Sequence, residues 1–187
     1  MSQRTLRIIG GKWRSRKVTF PDRADIRPTP DRVRETLFNW LRPHIAGSRC
    51  LELYAGSGVL SMEALSRGAK HVTVIEQDAV TWQSMKHNLT LLCDNPAAYE
   101  CAQASALDWL ENNRQQFDIV FIDPPFDSSE VEKVLDVLSQ RDAIADDGLV
   151  YLETPAAVEP DSLPPQLSIV RQKQAGQVHY CLCERQR

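Results

Sequence analysis

One short segment combines an acid, two prolines and an aromatic residue: Asp123-Pro124-Pro125-Phe126, directly after the apolar run FDIVFI. Strands often end at proline, so a stiff turn is the plainest interpretation. Proline also fixes φ at about −65° and lacks an N–H donor, which leaves a carboxylate and a carbonyl as rigid neighbouring acceptors. Beside an aromatic ring, these acceptors could bind a flat ligand that donates hydrogen bonds.

A second candidate site is the segment ELYAGSGVLS, residues 52–61. Gly56 and Gly58 stand between a predicted strand and a predicted helix, where glycine allows a sharp turn and close approach of a ligand to the backbone. Glu76 ends the next predicted strand, and an acid at that place can accept both hydroxyls of a ribose. These residues predict a nucleoside cofactor, although a loop that is merely tight would also contain the glycines.

Two nucleoside cofactors are candidates for this site. GSGVLS nearly matches the dinucleotide pattern G-x-G-x-x-G, with Ser61 at the place of the third glycine. A nicotinamide dinucleotide would also require a second nucleotide-binding half and a substrate domain, and the pattern of this chain indicates neither. S-adenosylmethionine (SAM) has no pyrophosphate, and an acid such as Glu52 before the loop is typical of its sites. SAM is therefore favoured, with a nicotinamide oxidoreductase as the alternative.

The elements that must position these residues alternate between strand and helix from residue 49 onward. The predicted strands are RCLELYA, HVTVIEQ, YECAQAS, FDIVFID and GLVYLET. Such alternation predicts an open parallel sheet with helices on both faces, so the two candidate sites meet at its carboxyl edge. The following segment QLSIVRQKQAGQVHYCLCER has no room for a crossover helix and predicts an antiparallel hairpin.

The first 42 residues differ in charge from the rest of the chain. They hold 11 Lys and Arg against 4 Asp and Glu, whereas residues 43–187 hold 11 against 21. A basic segment on an acidic body favours contact with a polyanion, although a solvated tail can have the same composition.

Local patterns in this basic segment predict a hairpin and a helix. TLRIIGGKWRSRKVTF predicts two strands joined by a tight turn at Gly10-Gly11. Thr29 is predicted to cap a helix that begins with Pro30. Arg32 and Arg34 fall off the apolar stripe of this helix, so both are expected to face solvent or a ligand.

Composition limits the class of protein. The 187 residues are 42% hydrophobic, which suits one domain with a small appendage. No apolar run approaches the ~20 residues of a membrane span, and the first residues do not resemble a secretory signal. Five cysteines without paired metal-ligand spacing predict small buried side chains in a reducing cytosol. We therefore expect a cytoplasmic protein without membrane association or a metal site.

The motifs together resemble a known superfamily. LELYAGSG, VIEQ and FIDPPF in this order resemble the class I SAM-dependent methyltransferases, and Asp-Pro-Pro-Phe resembles the catalytic motif of those that methylate exocyclic amino groups. With RIIGGKWRSRKV and RPTPDRVRETLFNWL, the resemblance covers nearly the whole chain and narrows to the RsmD family. That family methylates N2 of guanine 966 in bacterial 16S ribosomal RNA.

The resemblance implies a fold and a division of the chain. The fold is a Rossmann-like α/β sheet of seven strands in the order 3-2-1-4-5-7-6, mostly parallel, with an antiparallel C-terminal hairpin. A small N-terminal β-hairpin and a helix precede it. Residues 1–42 are then an RNA-contacting extension, and residues 43–187 are the methyltransferase domain.

Three groups of site residues follow from the motifs and the resemblance. The catalytic group is Asp123, Pro124, Pro125 and Phe126. The residues expected to bind SAM are Glu52, Tyr54, Ala55, Gly56, Ser57, Gly58, Glu76, Gln77, Ser105, Ala106 and Asp123. The residues expected to contact RNA are Arg14, Arg16, Lys17, Arg27, Thr29, Arg32 and Arg34. Ser105 and Ala106 occupy the segment in which the family usually has an acid facing the adenine.

The resemblance also implies a mechanism. Asp123 and the Pro124 carbonyl would each accept a hydrogen bond from the guanine amino group, Pro125 would stiffen the motif and Phe126 would stack on the base. The base must be unstacked to reach this motif. The expected partner is therefore a loop of 16S ribosomal RNA, within a 30S subunit or an assembly intermediate, bound by a monomer.

Three alternatives stay open. DNA amino-methyltransferases use similar motifs, but they generally carry a target-recognition domain for which this chain lacks the length. Methyltransferases that modify glutamine amides usually have asparagine where this chain has Asp123. A degenerate fold that binds RNA without catalysis would not need Gly56, Gly58, Glu76 and Asp123 together.

Overall fold

The computed structural model describes residues 3–22, 28–124 and 128–186. The strands within these residues are β1 Gln3–Arg7, β2 Lys17–Pro21, β3 Arg49–Leu53, β4 His71–Glu76, β5 Tyr99–Gln103, β6 Phe117–Ile122, β7 Ile144–Thr154, β8 Leu167–Ala175 and β9 Val178–Arg185. The α-helices are α1 Asp31–Trp40, α2 Val59–Ser66, α3 Ala79–Leu92, α4 Ala106–Asn112 and α5 Ser128–Gln140.

Seven strands form one sheet in the order β5-β4-β3-β6-β7-β9-β8. The strands from β5 to β7 pair in parallel, and β9 pairs antiparallel with both β7 and β8. Numbered within this sheet, the order is 3-2-1-4-5-7-6, so the predicted fold and its C-terminal hairpin are confirmed. The strand order changes direction between β3 and β6, and such a switch point opens a crevice at the carboxyl edge.

Alternating residues of the central strands fill two apolar layers. Leu51 of β3 and Val120 of β6 pack with residues of α4 and α5 on one face. Cys50 and Phe121, one position away, pack with residues of α1, α2 and α3 on the other face. Because both faces are covered, β6 is apolar at nearly every position, as buried parallel strands are. Burial of a side chain such as Phe121 contributes roughly 1.5–3 kcal/mol to folding.

The N-terminal hairpin has a longer connection than the sequence pattern predicts. β1 and β2 pair from Gln3↔Pro21 to Arg7↔Lys17, which leaves residues 8–16 as the connection, with a short 3₁₀ turn at Gly11–Trp13. The predicted tight turn at Gly10-Gly11 is therefore wrong. The physical reason is packing, because the Trp13 side chain is buried and the Trp13 backbone N–H donates to Ser66 Oγ of α2 at 2.9 Å.

Gly11 lies against the end of α2 so closely that no side chain fits. Its φ is +75°, and a Cβ atom there would lie 1.9 Å from the carbonyl oxygen of Ser66. The Ser66 hydroxyl also donates to the carbonyl of Gly10 at 2.6 Å. Glycine at this position therefore permits the docking of the connection onto α2 and does not form a hairpin turn.

Two expectations about α1 are corrected. The helix begins at Asp31 after Pro30, and Thr29 does not cap it, because the Thr29 hydroxyl donates to Glu153 Oε1 at 2.7 Å. Arg34 does not face solvent. It is fully buried, and its Nη1 lies 2.8 Å from Glu63 Oε1 of α2.

The surroundings of Arg34 explain its burial. Its guanidinium donates to the carbonyl oxygens of Thr29 and Arg7 and to the carboxylates of Asp31 and Glu63. These four acceptors come from three separate parts of the chain and use most of the five N–H donors. Arg34 therefore joins the N-terminal hairpin, α1 and α2 into one packed unit.

Four of the five cysteines are buried, as the composition predicts. Cys50, Cys93, Cys181 and Cys183 are buried and Cys101 is half-buried. Burial raises the pKa of Cys50 to about 12, so this thiol stays protonated. Within residues 3–22, 28–124 and 128–186, none of the helices combines the length and apolar character that crossing a membrane requires.

Candidate active site

A cleft of about 1180 Å³ lies at the carboxyl edge of the sheet. Its walls come from the ends of β3, β4, β6 and β7, from the segment before α1 and from the tip of the β8–β9 hairpin. The polar and backbone groups of interest in its lining are Thr29, Glu52, Tyr54, Gly56, Ser57, Glu76, Gln77, Asp78, Asp123, Pro124, Glu153, Gln174, Gln177 and His179. The two motifs singled out in the sequence therefore open into the same cleft.

The loop after β3 has an unusual backbone conformation. Tyr54, Gly56 and Gly58 have φ values of 56°, 52° and 69°. A positive φ at a bulky non-glycine residue such as Tyr54 costs free energy, and residues held in such conformations cluster at functional sites. The Ala55 N–H donates to the Ile75 carbonyl at 3.1 Å, which fixes the loop against the end of β4.

Gly58 packs against α3 and is not among the residues that line the cleft. A Cβ atom at this position would lie 2.5 Å from Met85 Cγ of α3. The glycine is therefore required both by its positive φ and by close packing.

Glu76, the last residue of β4, binds the backbone of the loop after β3 and of the segment before α3. Its Oε2 accepts the Gly56 N–H at 2.9 Å, and its Oε1 accepts the Asp78 N–H at 2.8 Å. A carboxylate oxygen has more than one acceptor site, so both oxygens can accept further hydrogen bonds from ligand hydroxyls. Asp78 accepts the Thr81 N–H at 2.9 Å and caps α3. Gln77 lies between them and is exposed.

Glu52 is buried at the end of β3, where its Oε2 accepts the N–H of Ser61 at 2.9 Å. Burial raises the pKa of Glu52 to about 7, against hydrogen bonds from Ser61 that lower it. The carboxyl group therefore ties the first turn of α2 to β3 and changes its charge near neutral pH.

Asp123 follows β6 and is partly exposed to the cleft, and Pro124 beside it is buried. Loss of hydration raises the pKa of Asp123 well above its usual range, and the nearby charges of Glu153 and Glu52 raise it further. The predicted catalytic residues Pro125 and Phe126 lie outside the described residues. The part of the motif that the structure describes thus combines a poorly solvated carboxyl group with the Pro124 backbone.

Glu153 at the end of β7 is the most informative residue that the sequence interpretation missed. Its Oε1 accepts the hydroxyls of Thr29 at 2.7 Å and Tyr151 at 2.9 Å. Burial raises the pKa of Glu153, and these two hydroxyls oppose that change. Glu153 is the penultimate residue of the predicted strand GLVYLET, so the rule that directed attention to the end of β6 applies equally to this position.

The segment after β5 forms another wall of the cleft. Ala106 lines it, whereas Ser105 does not, because the Ser105 hydroxyl accepts the Asp108 N–H at 3.1 Å and caps α4. Of the residues predicted to bind a cofactor, all except Gly58 and Ser105 line the cleft. Gln174, Gln177 and His179 also line it, and they had no sequence signal because an antiparallel hairpin tip has no motif of its own.

The residues predicted to contact RNA divide into two groups. Arg14, Arg16 and Lys17 in the hairpin connection and at the start of β2 are exposed, as is Arg32 of α1. Thr29 and Arg34 are buried and hold partners within the protein. A fully buried guanidinium cannot reach a phosphate, so the expectation for Arg34 is wrong. Arg27 lies outside the described residues.

Comparison with known proteins gives consistent matches. The family model described as conserved hypothetical protein 95 matches residues 6–184. Ribosomal RNA small subunit methyltransferase D of Escherichia coli is 43% identical over 182 residues, which cover 97% of this chain and 90% of that protein. The solved structure of yhhF from Escherichia coli has a TM-score of 0.88 at 41% identity and covers 97% of this chain and 98% of that one.

More distant structures share the fold. SMU.776, described as a methyltransferase and solved in complex with SAH, has a TM-score of 0.70 at 15% identity, covering 90% of this chain and 53% of that one. The strand order, the glycine loop and the full-length matches agree with one another. The chain belongs to the family described as conserved hypothetical protein 95, the RsmD family that its motifs resemble.

Proposed function

We propose that the protein uses SAM to methylate the exocyclic N2 amino group of guanine 966 in 16S ribosomal RNA. The observation that carries this proposal is the opening of Asp123 and Pro124 into the same cleft as the loop after β3 and Glu76. The name of the Escherichia coli relative, a small subunit ribosomal RNA methyltransferase, supports the class of substrate.

The cleft suits SAM in shape and in charge. It is lined by Glu52, Glu76, Asp78, Asp123 and Glu153, and no lysine or arginine is among its described lining residues. Such an acidic surface attracts a ligand that carries positive charge, and SAM has a sulfonium and an ammonium group. When bound, SAM supplies an electrophilic methyl group.

The chain offers a separate contact for each part of SAM. Glu76 would accept hydrogen bonds from the ribose hydroxyls through the acceptor sites that Gly56 and Asp78 leave open. The strained backbone from Tyr54 to Gly56 would face the methionine part, and Ala106 would lie on the adenine side.

Asp123 and Pro124 would bind and orient the amino group. The guanine N2 lone pair is delocalised into the ring, so the amine is a weak nucleophile and depends on positioning. Two acceptors, the Asp123 carboxylate and the Pro124 carbonyl, would aim its lone pair toward the cofactor. Because burial raises the pKa of Asp123, this carboxylate is also a better proton acceptor than a solvated aspartate near neutral pH.

The RNA would contact the exposed cations of the N-terminal part, residues 1–42, while residues 43–187 carry out catalysis. Arg14, Arg16, Lys17 and Arg32 are exposed and can contact phosphates without a conformational change. The target base must leave its stack to reach a carboxyl group at the base of a cleft. We therefore favour a loop of the 30S subunit or of an assembly intermediate as the substrate, bound by a monomer in the cytoplasm.

A labelling experiment tests this function. Methyl-labelled SAM is incubated with the protein and unmethylated 30S particles, bare 16S RNA or DNA, and the labelled nucleotide is mapped. We expect label on N2 of one guanine of the small subunit RNA. Label on DNA or on protein, or none on any substrate, would contradict the proposal. A thermal-shift comparison of S-adenosylhomocysteine with NAD separately tests the class of cofactor.

A further inference from the structure

Glu153 is a second carboxyl group at the place where the proposed reaction uses only Asp123. β6 and β7 are parallel neighbours, and their register pairs Ile122 with Leu152. Asp123 follows Ile122, the last residue of β6, and Glu153 follows Leu152 within β7, so the two residues lie side by side at the carboxyl edge of the sheet. Both line the cleft.

Among the residues that the structure describes, no lysine or arginine lines the cleft around this carboxyl pair. The titratable and charged groups that face it are Glu52 from β3, Tyr151 from β7, and Tyr180 and His179 from β9. Two poorly solvated carboxyl groups this close do not both ionise near neutral pH.

Two neutral hydroxyls act on only one member of the pair. Thr29 and Tyr151 both donate to Glu153 Oε1. Hydrogen bonds to a carboxylate favour its charged form, so these donors draw the negative charge toward Glu153 and leave the proton with Asp123 in the free protein. A substrate amino group that donates to Asp123 would draw the charge in the opposite direction.

We propose that Asp123 and Glu153 share one proton and that Glu153 is a positioning residue, which takes this proton when the amino group binds and leaves Asp123 as a carboxylate. This inference rests on the proposed function of the cleft. In this proposal, Glu153 of β7 sets the protonation state of Asp123, the residue that follows β6.

The proton balance of the proposal is simple. After methylation, the N–H bond of the cationic amine breaks, its electron pair stays on nitrogen and the proton binds the Asp123 carboxylate. The pair then holds two protons and no charge. Release of one proton to solvent restores the pair with one proton and one negative charge, so no further reactant is needed.

A purely structural role for Glu153 is the competing explanation. Its two hydrogen bonds fasten Thr29, in the segment before α1, to the sheet. Glu153→Gln distinguishes the two roles, because the amide oxygen can still accept both hydroxyls while the side chain can no longer exchange a proton. The matched control is Glu184→Gln, at a half-buried position of β9 in the same sheet.

The functional test is the pH profile of single-turnover methyl transfer to unmethylated 30S particles. We expect Glu153→Gln to move the acid limb of the profile up by about one pH unit or more, because the first proton can then leave only from Asp123 and no longer from the pair, whose member Glu153 is stabilised as a carboxylate by two hydroxyls. Glu184→Gln is expected to leave this limb in place. An unchanged acid limb in Glu153→Gln, whatever its rate, would overturn the proposal.

The test without substrate is the pH dependence of the melting temperature. A carboxyl group whose pKa is raised in the folded state binds more protons folded than unfolded, so the free energy of unfolding falls as pH rises from about 4 through the raised pKa. We expect this fall to be smaller in Glu153→Gln than in the unchanged protein. Parallel curves for the two proteins would overturn proton sharing.

Tyr151→Phe provides a second variant that keeps both carboxyl groups. It removes one donor to Glu153, so the acid limb should move in the same direction as in Glu153→Gln but less far, and a limb that stays in place would count against the proposal. If the unchanged protein transfers no methyl group to any substrate, the proposed function fails. The melting curves still decide whether the proton is shared.

Discussion

Two buried carboxylate sites in this protein have opposite surroundings. Glu63 of α2 is paired with Arg34 at 2.8 Å and Arg67 at 3.2 Å, and it accepts the Ile9 N–H. Glu153 accepts two neutral hydroxyls and lies beside Asp123, and no lysine or arginine is among the described lining residues of their cleft. At Glu63, guanidinium groups balance the carboxylate charge and the ion pair joins α1 to α2. At Asp123 and Glu153, the negative charge is not balanced in this way, so a bound ligand can interact with it.

The largest expected effect on methyl transfer comes from removing the carboxyl group of Asp123. Asp123→Ala should lower methyl transfer about 1000-fold or more, because it removes both an acceptor for the amino group and a proton acceptor. Binding of S-adenosylhomocysteine, measured by calorimetry, should change little. Transfer at near the original rate would show that Asp123 has no catalytic role.

Substitution of Arg34, the partner of Glu63, should lower the stability of the fold and should not act on the methyl-transfer step itself. Arg34→Met leaves Glu63 buried without its main partner, so the free energy of unfolding in urea should fall by about 3–5 kcal/mol. Arg32→Met lies on the same helix but is exposed, and it should change stability by less than about 0.5 kcal/mol. Equal effects of the two substitutions would mean that the buried ion pair does not contribute to stability.

Glu52 is an intermediate case, because backbone N–H groups compensate its charge in part. Its pKa is raised to about 7, so the folded state binds a proton more tightly than the unfolded chain. The free energy of unfolding should therefore fall between about pH 4.5 and pH 7, by on the order of 3 kcal/mol. Glu52→Gln should remove most of this fall, which melting curves at several pH values would measure, and an unchanged fall would contradict the assignment.

The smallest expected effect concerns an exposed guanidinium, in contrast to the buried Arg34. Arg16→Met should weaken binding of 30S particles several-fold and lower the salt dependence of binding by about one phosphate contact. Lys133→Met provides the control, because this exposed residue lies on α5, which packs on the opposite face of the sheet from the hairpin. If both variants bind alike, the basic hairpin is not part of the RNA-binding surface.

Apolar strands and βαβ alternation were sufficient to predict an open parallel sheet, its C-terminal hairpin and the place of the cleft, whereas the strand order followed from the family resemblance. The errors at Arg34, Thr29 and Gly11 share one physical cause. Each of these residues makes its decisive contact with a residue far along the chain: Glu63, Glu153 and Ser66 respectively. Helical periodicity describes which face of α1 is apolar, but it contains no information about a buried carboxylate on another helix.

The contact of Gly11 with Ser66 has a mechanical consequence. The hairpin connection is docked on the last residue of α2, and the first residue of α2 follows the glycine loop of the cleft. The hairpin connection and the loop after β3 thus lie at opposite ends of one helix of 8 residues. If the hairpin connection contacts phosphates as proposed, we expect the protein to fix the distance between those phosphates and the reacting base, so that an RNA is selected by the shape into which it has already folded.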